Sequence, residues 1–186
     1  VAALDDPDPS VRCGALWGLG RMPLHPHPEA RESEMGNALA PNATAVVKRL
    51  EDEDAWVRSV ALEVLAKLPS DVTPLHAEAM AALLVHERPE VRSSALRALA
   101  QQPSGVLAAH ASAIEQHCVA HGMVEVRRAA VETLGMLEPT PLAEHAGSVT
   151  SLVADDDAGV RAAALAVLRR LPDPDLAKQV RRLPPH

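Results

Sequence analysis

Phenylalanine and tyrosine are absent from this chain, and its only large aromatics are two tryptophans, Trp17 and Trp56. A core without rings is too thin to enclose a deep aromatic ligand pocket. What fills it instead is alanine, leucine and valine; 34 of the 186 residues are alanine. Small side chains let helix backbones approach closely, and alanine and leucine head the helix-propensity scale. There are two cysteines, Cys13 and Cys118, far apart in sequence. A disulfide between them does not suit an extended array, so a reducing, intracellular compartment is favoured. No run of eighteen apolar residues appears, so no membrane span is expected. A net positive charge is also missing. The formal charge is -7, which argues against a nonspecific nucleic-acid or acidic-membrane binder. Arg169, Arg170, Arg181 and Arg182 form a local basic cluster, read as a solvated helix end. The chain starts at Val1 without Met and is expected to be a piece of a longer protein, so the lack of a visible signal peptide is uninformative. Asn42-Ala43-Thr44 has the form of a glycosylation acceptor and is read as a chance match.

Against these absences stands a helix signature present five times. It opens with Val-Arg at Val11-Arg12, Val57-Arg58, Val91-Arg92, Val126-Arg127 and Val160-Arg161. Alanine follows at +4, an aliphatic at +5, leucine at +8 and usually an apolar residue at +11. Val126, Ala130, Val131, Leu134 and Leu137 show the pattern complete; Gln102 breaks it in the third copy. At 3.6 residues per turn these positions form one face of a helix. The last four copies lie 34, 35 and 34 residues apart. A fixed period of this size predicts a stacked array and not a globular enzyme built around one pocket. The first interval is 46, so about twelve residues are inserted there. The insertion is placed at about 23–37, with a short helix around Glu29 to Met35.

Proline supplies the punctuation. Pro69, Pro103, Pro139 and Pro172 follow the stripes and mark helix ends, because proline lacks the amide donor and clashes with the preceding turn. Asp52, Asp54, Asp155, Asp156, Asp157 and Glu90 precede or open the signature helices and can cap free amides there. Ala43 to Leu50, Pro74 to His86, Leu107 to Ala120 and Leu142 to Val153 are the candidate first helices of each hairpin. Asp175 to Leu183 is read as the start of one more.

Asp8-x-x-Val11-Arg12, Asp54-x-x-Val57-Arg58 and Asp157-x-x-Val160-Arg161, each followed by the alanine-leucine stripe, resemble the HEAT-repeat family, helical hairpins related to armadillo repeats. The resemblance covers residues 3 to 183. It implies an all-α fold, a right-handed alpha-alpha superhelix, running as a single array over 1–186. It also implies an Asp–Arg ladder between adjacent repeats, which gives Arg12, Arg58, Arg92, Arg127 and Arg161 a structural role. The position beside the buried face agrees, since an arginine stem packs there while its guanidinium reaches a carboxylate. Arg88 and Met123 stand where the motif has Asp, and Glu90 and Glu125 are expected to compensate.

No constellation for catalysis emerges. His25-Pro26-His27 lacks the further ligands a zinc site needs, and Pro23, Pro26 and Pro28 make it a stiff loop. HEAT-like iron hydroxylases of the deoxyhypusine hydroxylase family use several His-Glu pairs; this chain has one, His86-Glu87. HEAT-like DNA glycosylases fit poorly with the negative charge, and nothing marks a bilin site of the phycobilin-lyase kind. His110, His117 and His121 read as surface histidines. Asp155-Asp156-Asp157 lacks the spacing of a calcium loop. Neither a metal nor another cofactor is expected.

The signature helices carry a second row at +6: Trp17, Glu63, Arg97, Glu132 and Ala166. The wheel puts it opposite the stripe, together with +2 and +9. The family resemblance implies that second helices line the inner surface of the array. Trp17, Trp56, Glu63, Arg97 and Glu132 are therefore the candidate protein-binding residues, the tryptophans as anchors. The reading is a noncatalytic protein-interaction scaffold or structural subunit, with a protein partner and no nucleic acid. The alternative is a lyase-like or regulatory accessory protein that holds a cofactor-bearing client.

Overall fold

A computed structural model describes residues 2–21, 40–66, 73–119 and 122–171. The inserted segment about 23–37, His25, His27, His121, Pro69, Pro172, Arg181, Arg182 and the segment Asp175 to Leu183 lie outside them. Every regular element among the described residues is helical, and the chain divides into two compact units, Val1–Leu83 and Leu84–His186.

In the first unit a 3-10 turn, Ala2–Asp5, leads to α1 (Pro9–Arg21). Helix α2 (Ala40–Lys48) tightens into a 3-10 turn over Arg49–Glu51, and α3 (Ala55–Leu65) and α4 (Thr73–Ala82) follow. Helices α1 and α3, the first two signature helices, pack on each other. Asp54 caps α3 through hydrogen bonds from the Trp56 and Val57 amides, satisfying two donors that a helix start leaves open.

The second unit contains α5 (Pro89–Leu99), α6 (Ser104–Ala109), α7 (Ala111–Val119) and α8 (Val124–Leu134). It continues with α9 (Pro139–Glu144), α10 (Ala146–Ser151), a 3-10 turn at Leu152–Ala154, and α11 (Ala158–Leu168). The signature helices α5, α8 and α11 stack in order, while α7 packs on α8 and on α10. Proline marks the starts of two first helices. Pro103 is the N-cap of α6, and Pro139 opens α9 at a position whose amide would be unpaired anyway.

The signature stripe forms the core. Val57, Val91, Val126 and Val160 are fully buried, as are Ala61, Ala95, Ala130 and Ala164. Leu19, Leu65, Leu99, Leu134 and Leu168 are buried at +8. Gln102 is buried too, and its amide nitrogen donates to the Ala98 carbonyl. Four stripe positions depart: Val11 is 41% exposed, Leu165 is 38% exposed, and Ala15 and Leu62 are half-buried.

Two residues of the +2 and +9 rows depart from the wheel, while the other members of those rows are exposed or half-buried. The +9 position was placed opposite the stripe, yet Gly135 is buried because α11 lies over it. A Cβ on Gly135 would come within 2.6 Å of the Val167 side chain, and one on Gly20 within 2.9 Å of Val64. The +2 position was also placed outside, yet Cys13 is buried, as a free thiol. A wheel registers a helix's own stripe but not the flank that the next signature helix covers.

The expected first helices Leu107 to Ala120 and Leu142 to Val153 are each broken, at His110 and at His145. Both residues leave helical geometry, with φ near -100° and ψ near 0°.

Candidate docking surface

The arginines after each signature valine perform one shared task. Each guanidinium turns back onto the carbonyls of the loop that precedes its own helix. Arg12 donates to Asp6 and Pro7, Arg58 to Asp52 and Glu53, Arg92 to His86 and Glu87, and Arg161 to Asp155 and Asp156. Arg127 donates to the Gly122 carbonyl. The carbonyls stand five or six residues upstream, so every copy closes the same small ring of chain. Sequence spacing hinted at this through the constant Val-Arg offset, but a backbone acceptor leaves no residue-type signature.

Two of these arginines also reach the next copy. Arg12 holds Asp52 by two parallel bonds of 2.9 and 2.8 Å, and Arg127 holds Asp155 by bonds of 2.7 and 2.8 Å. The paired fork geometry makes both strong contacts. Both carboxylates are nearly buried, at 4% and 6% side-chain exposure. The Asp52 bond is the main cause that raises the Arg12 pKa above its ordinary value, and the Asp155 bond does the same for Arg127. Asp155 is held below the usual carboxylate range chiefly by Arg127.

The rung aspartates are thus Asp52 and Asp155, two residues before the motif aspartates. Asp54 and Asp157 instead cap their own helices. His86 stands at the rung position of its copy, where its Nδ1 accepts the Arg88 amide as Asp52 accepts that of Asp54. Arg88 and Met123, the N-caps of α5 and α8, make no side-chain cap hydrogen bond, and Glu90 and Glu125 stand in the first turns of those helices, where a carboxylate favours the positive helix end.

Glu115 on α7 binds the His145 ring at 2.7 Å and accepts a hydrogen bond from the Ser148 hydroxyl. The Ser148 bond, with the His145 contacts, outweighs burial and lowers the Glu115 pKa. This cluster fastens one broken first helix to the next, and sequence reasoning missed it because its members are 30 and 33 residues apart. Neither contact sets serine against histidine, so it is no nucleophilic arrangement.

Every member of the +6 row is exposed: Trp17, Glu63, Arg97, Glu132 and Ala166. Trp17 is 44% exposed and Trp56 is 61% exposed. The structure brings these two together edge to face, with ring centroids 6.5 Å apart and planes at 62°. They line an open groove of about 340 Å³ with Pro9, Cys13, Gly14 and Asp54. Burial raises the pKa of the Cys13 thiol. In the second unit Glu132 pairs with Arg128 at 3.0 Å. It borders an apolar groove of about 470 Å³ lined by Met136, Ala163, Ala166, Val167 and Arg170. Among the described residues no three His, Cys, Asp or Glu side chains are grouped to hold a metal ion. No described helix is long and apolar enough to cross a membrane.

No family model and no curated protein sequence matches the chain. Solved structures do. One, described as the Pds5-Scc1 complex with implications for cohesin function, aligns at 16% identity over 97% of this chain and 31% of its own, with a TM-score of 0.63. Another, on tubulin recruitment and assembly by microtubule polymerases with TOG domain arrays, aligns at 10% identity over 97% of this chain and 44% of its own, with a TM-score of 0.59. An engineered protein aligns at 17% identity over 97% of this chain and 92% of its own, with a TM-score of 0.58. The chain spans less than half the length of the two natural proteins. At these identities the likeness is one of fold: an all-helical, repeat-like solenoid resembling HEAT, TOG and armadillo proteins.

Proposed function

We propose that this chain is a noncatalytic protein-docking scaffold whose binding surface is the exposed row of its signature helices. The observation that carries the proposal is the Trp17–Trp56 pair, two large aromatics left open on packed helices. Exposed tryptophans in a groove with apolar walls are the residues most often found as binding anchors. Glu63 in the first unit and Arg97 and Glu132 in the second are the charged members of the row, and charge of both signs favours register and specificity more than raw affinity. The structures of similar fold include one of a complex, Pds5 with Scc1, and one on tubulin recruitment. Arg12, Arg58, Arg92, Arg127 and Arg161 serve this reading indirectly, by holding the loops and the spacing of the helices that present the row.

The test is quantitative capture of a partner by the intact chain and by three variants. Trp17→Ala is expected to lose the partner while keeping its helical circular dichroism, and Glu132→Ala is expected to weaken capture. The double variant His25→Ala, His27→Ala is expected to capture as the parent does. Partner loss in the histidine variant, together with loss of a stoichiometric metal, would replace docking by a metal-centred role.

A further inference from the structure

The tryptophan groove has an electrostatic setting that narrows what it receives. The turns leading into α1 and α3 read Asp5-Asp6-Pro7-Asp8 and Glu51-Asp52-Glu53-Asp54, seven carboxylates without one basic residue. Asp8 adjoins Pro9, and Asp54 itself lines the groove. Asp52 is matched by Arg12 and Asp5 by Arg49. Asp6, Asp8, Glu53 and Asp54 form no ion pair with any described residue.

The nearby cations are already committed. Arg12 ends on Asp52 and two carbonyls, Arg49 on Asp5 and the Leu4 carbonyl, and Arg58 on the carbonyls of Asp52 and Glu53. The amides at the start of α3, which would otherwise favour an anion, are occupied by Asp54. What remains is a net negative charge on the turns beside the groove, with the Asp54 carboxylate in its lining. Indole faces carry negative potential and attract cations.

We propose that the Trp17–Trp56 groove receives an arginine or lysine side chain from a basic segment of the docked protein. The proposal rests on the docking reading and gives the partner a chemistry. The stem of such a side chain packs on the rings while its charge faces Asp54 and the acidic turns. A second copy presenting the same groove would set acid against acid, so the fitting occupant is a different, basic chain.

The measurement is direct because Trp17 and Trp56 are the only tryptophans and tyrosine is absent, so intrinsic emission reports on this groove alone. The intact chain is titrated with three unlabelled peptides: one with two arginines spaced by glycine, one with citrulline in their place, and one with norleucine. The arginine peptide is expected to change the emission saturably, more weakly as salt rises, and to bind roughly tenfold tighter than the citrulline peptide. Asp54→Asn, which keeps a capping side chain but removes its charge, and Trp56→Leu are each expected to weaken the arginine peptide with helicity unchanged. Equal binding of citrulline or norleucine peptides overturns the cation assignment, as does an emission that no peptide alters. The docking reading is judged separately, by partner capture in Trp17→Ala: capture lost keeps it, and capture retained removes it.

Discussion

Leu134 and Glu132 sit two residues apart on α8 and differ in almost every physical respect. Leu134 is fully buried, whereas Glu132 is exposed and tied only to Arg128. Leu134→Ala should cost ~2–5 kcal/mol, and Glu132→Ala should stay within ~0.5 kcal/mol. Chemical denaturation checks this, and equal midpoints with equal slopes would refute the assigned faces. Gly135→Ala makes a sharper test, because its Cβ would meet Val167 at 2.6 Å. Overpacking of that kind costs ~1–3 kcal/mol, although alanine is ordinarily the better helix former. Val167→Ala in the same background should restore part of the loss by opening the space. His76 is buried, its Nε2 has no partner among the described residues, and desolvation lowers its pKa from the ordinary 6.5. The folded state therefore prefers neutral His76; its contribution is whole above pH 6.5 and is lost as pH falls below it. His76→Met should flatten the decline in melting temperature between pH 7.5 and 5.5, as scanning calorimetry would show. At this scale the stripe and the +6 row were legible because both follow 3.6-residue periodicity. Gly135 and Cys13 were misplaced because their burial depends on a neighbouring helix.

Helices are joined here by a few buried polar contacts. Arg127→Met strands Asp155, whose side chain is 6% exposed, and should cost ~3–5 kcal/mol. Arg161→Met removes two hydrogen bonds to loop carbonyls and a weaker electrostatic attraction to Asp155, and should cost less. Urea melts of the two variants decide the order, and a larger loss for Arg161→Met would contradict the ladder's role. Acid acts on the same contacts. Glu115 and Asp155 have folded-state pKa values below their ordinary 4.5 and 3.8, so their contribution is present above those values. It is lost as pH falls through the depressed folded values. Glu115→Gln should therefore shrink the stability lost on acidification below about pH 4.5, seen in melts at graded pH. Helix order, proline boundaries and hairpin period were readable from the chain. The breaks at His110 and His145 were not, since neither carries a proline or glycine signal. Nor was the distinction between rung and cap aspartates, which depends on which oxygen meets which neighbour.

For the molecule as a whole, nearest-neighbour packing makes stability close to a sum over copies and their junctions. The all-helical repeat fold was legible because five copies at nearly constant spacing repeat one local solution. The pairing of Trp17 with Trp56 was not, because one ring lies at +6 of its helix and the other just before the next signature valine. The central claim is that partners dock on the signature helices. It is tested most directly by placing a photoreactive benzophenone residue at position 63, 97 or 132, and in parallel at Thr44, Glu78 or Gln116. The last three are exposed positions on α2, α4 and α7, the first helices of their hairpins. Irradiation of the purified complex is expected to link the partner from the first set and not from the second. Crosslinks confined to Thr44, Glu78 and Gln116 would contradict the account.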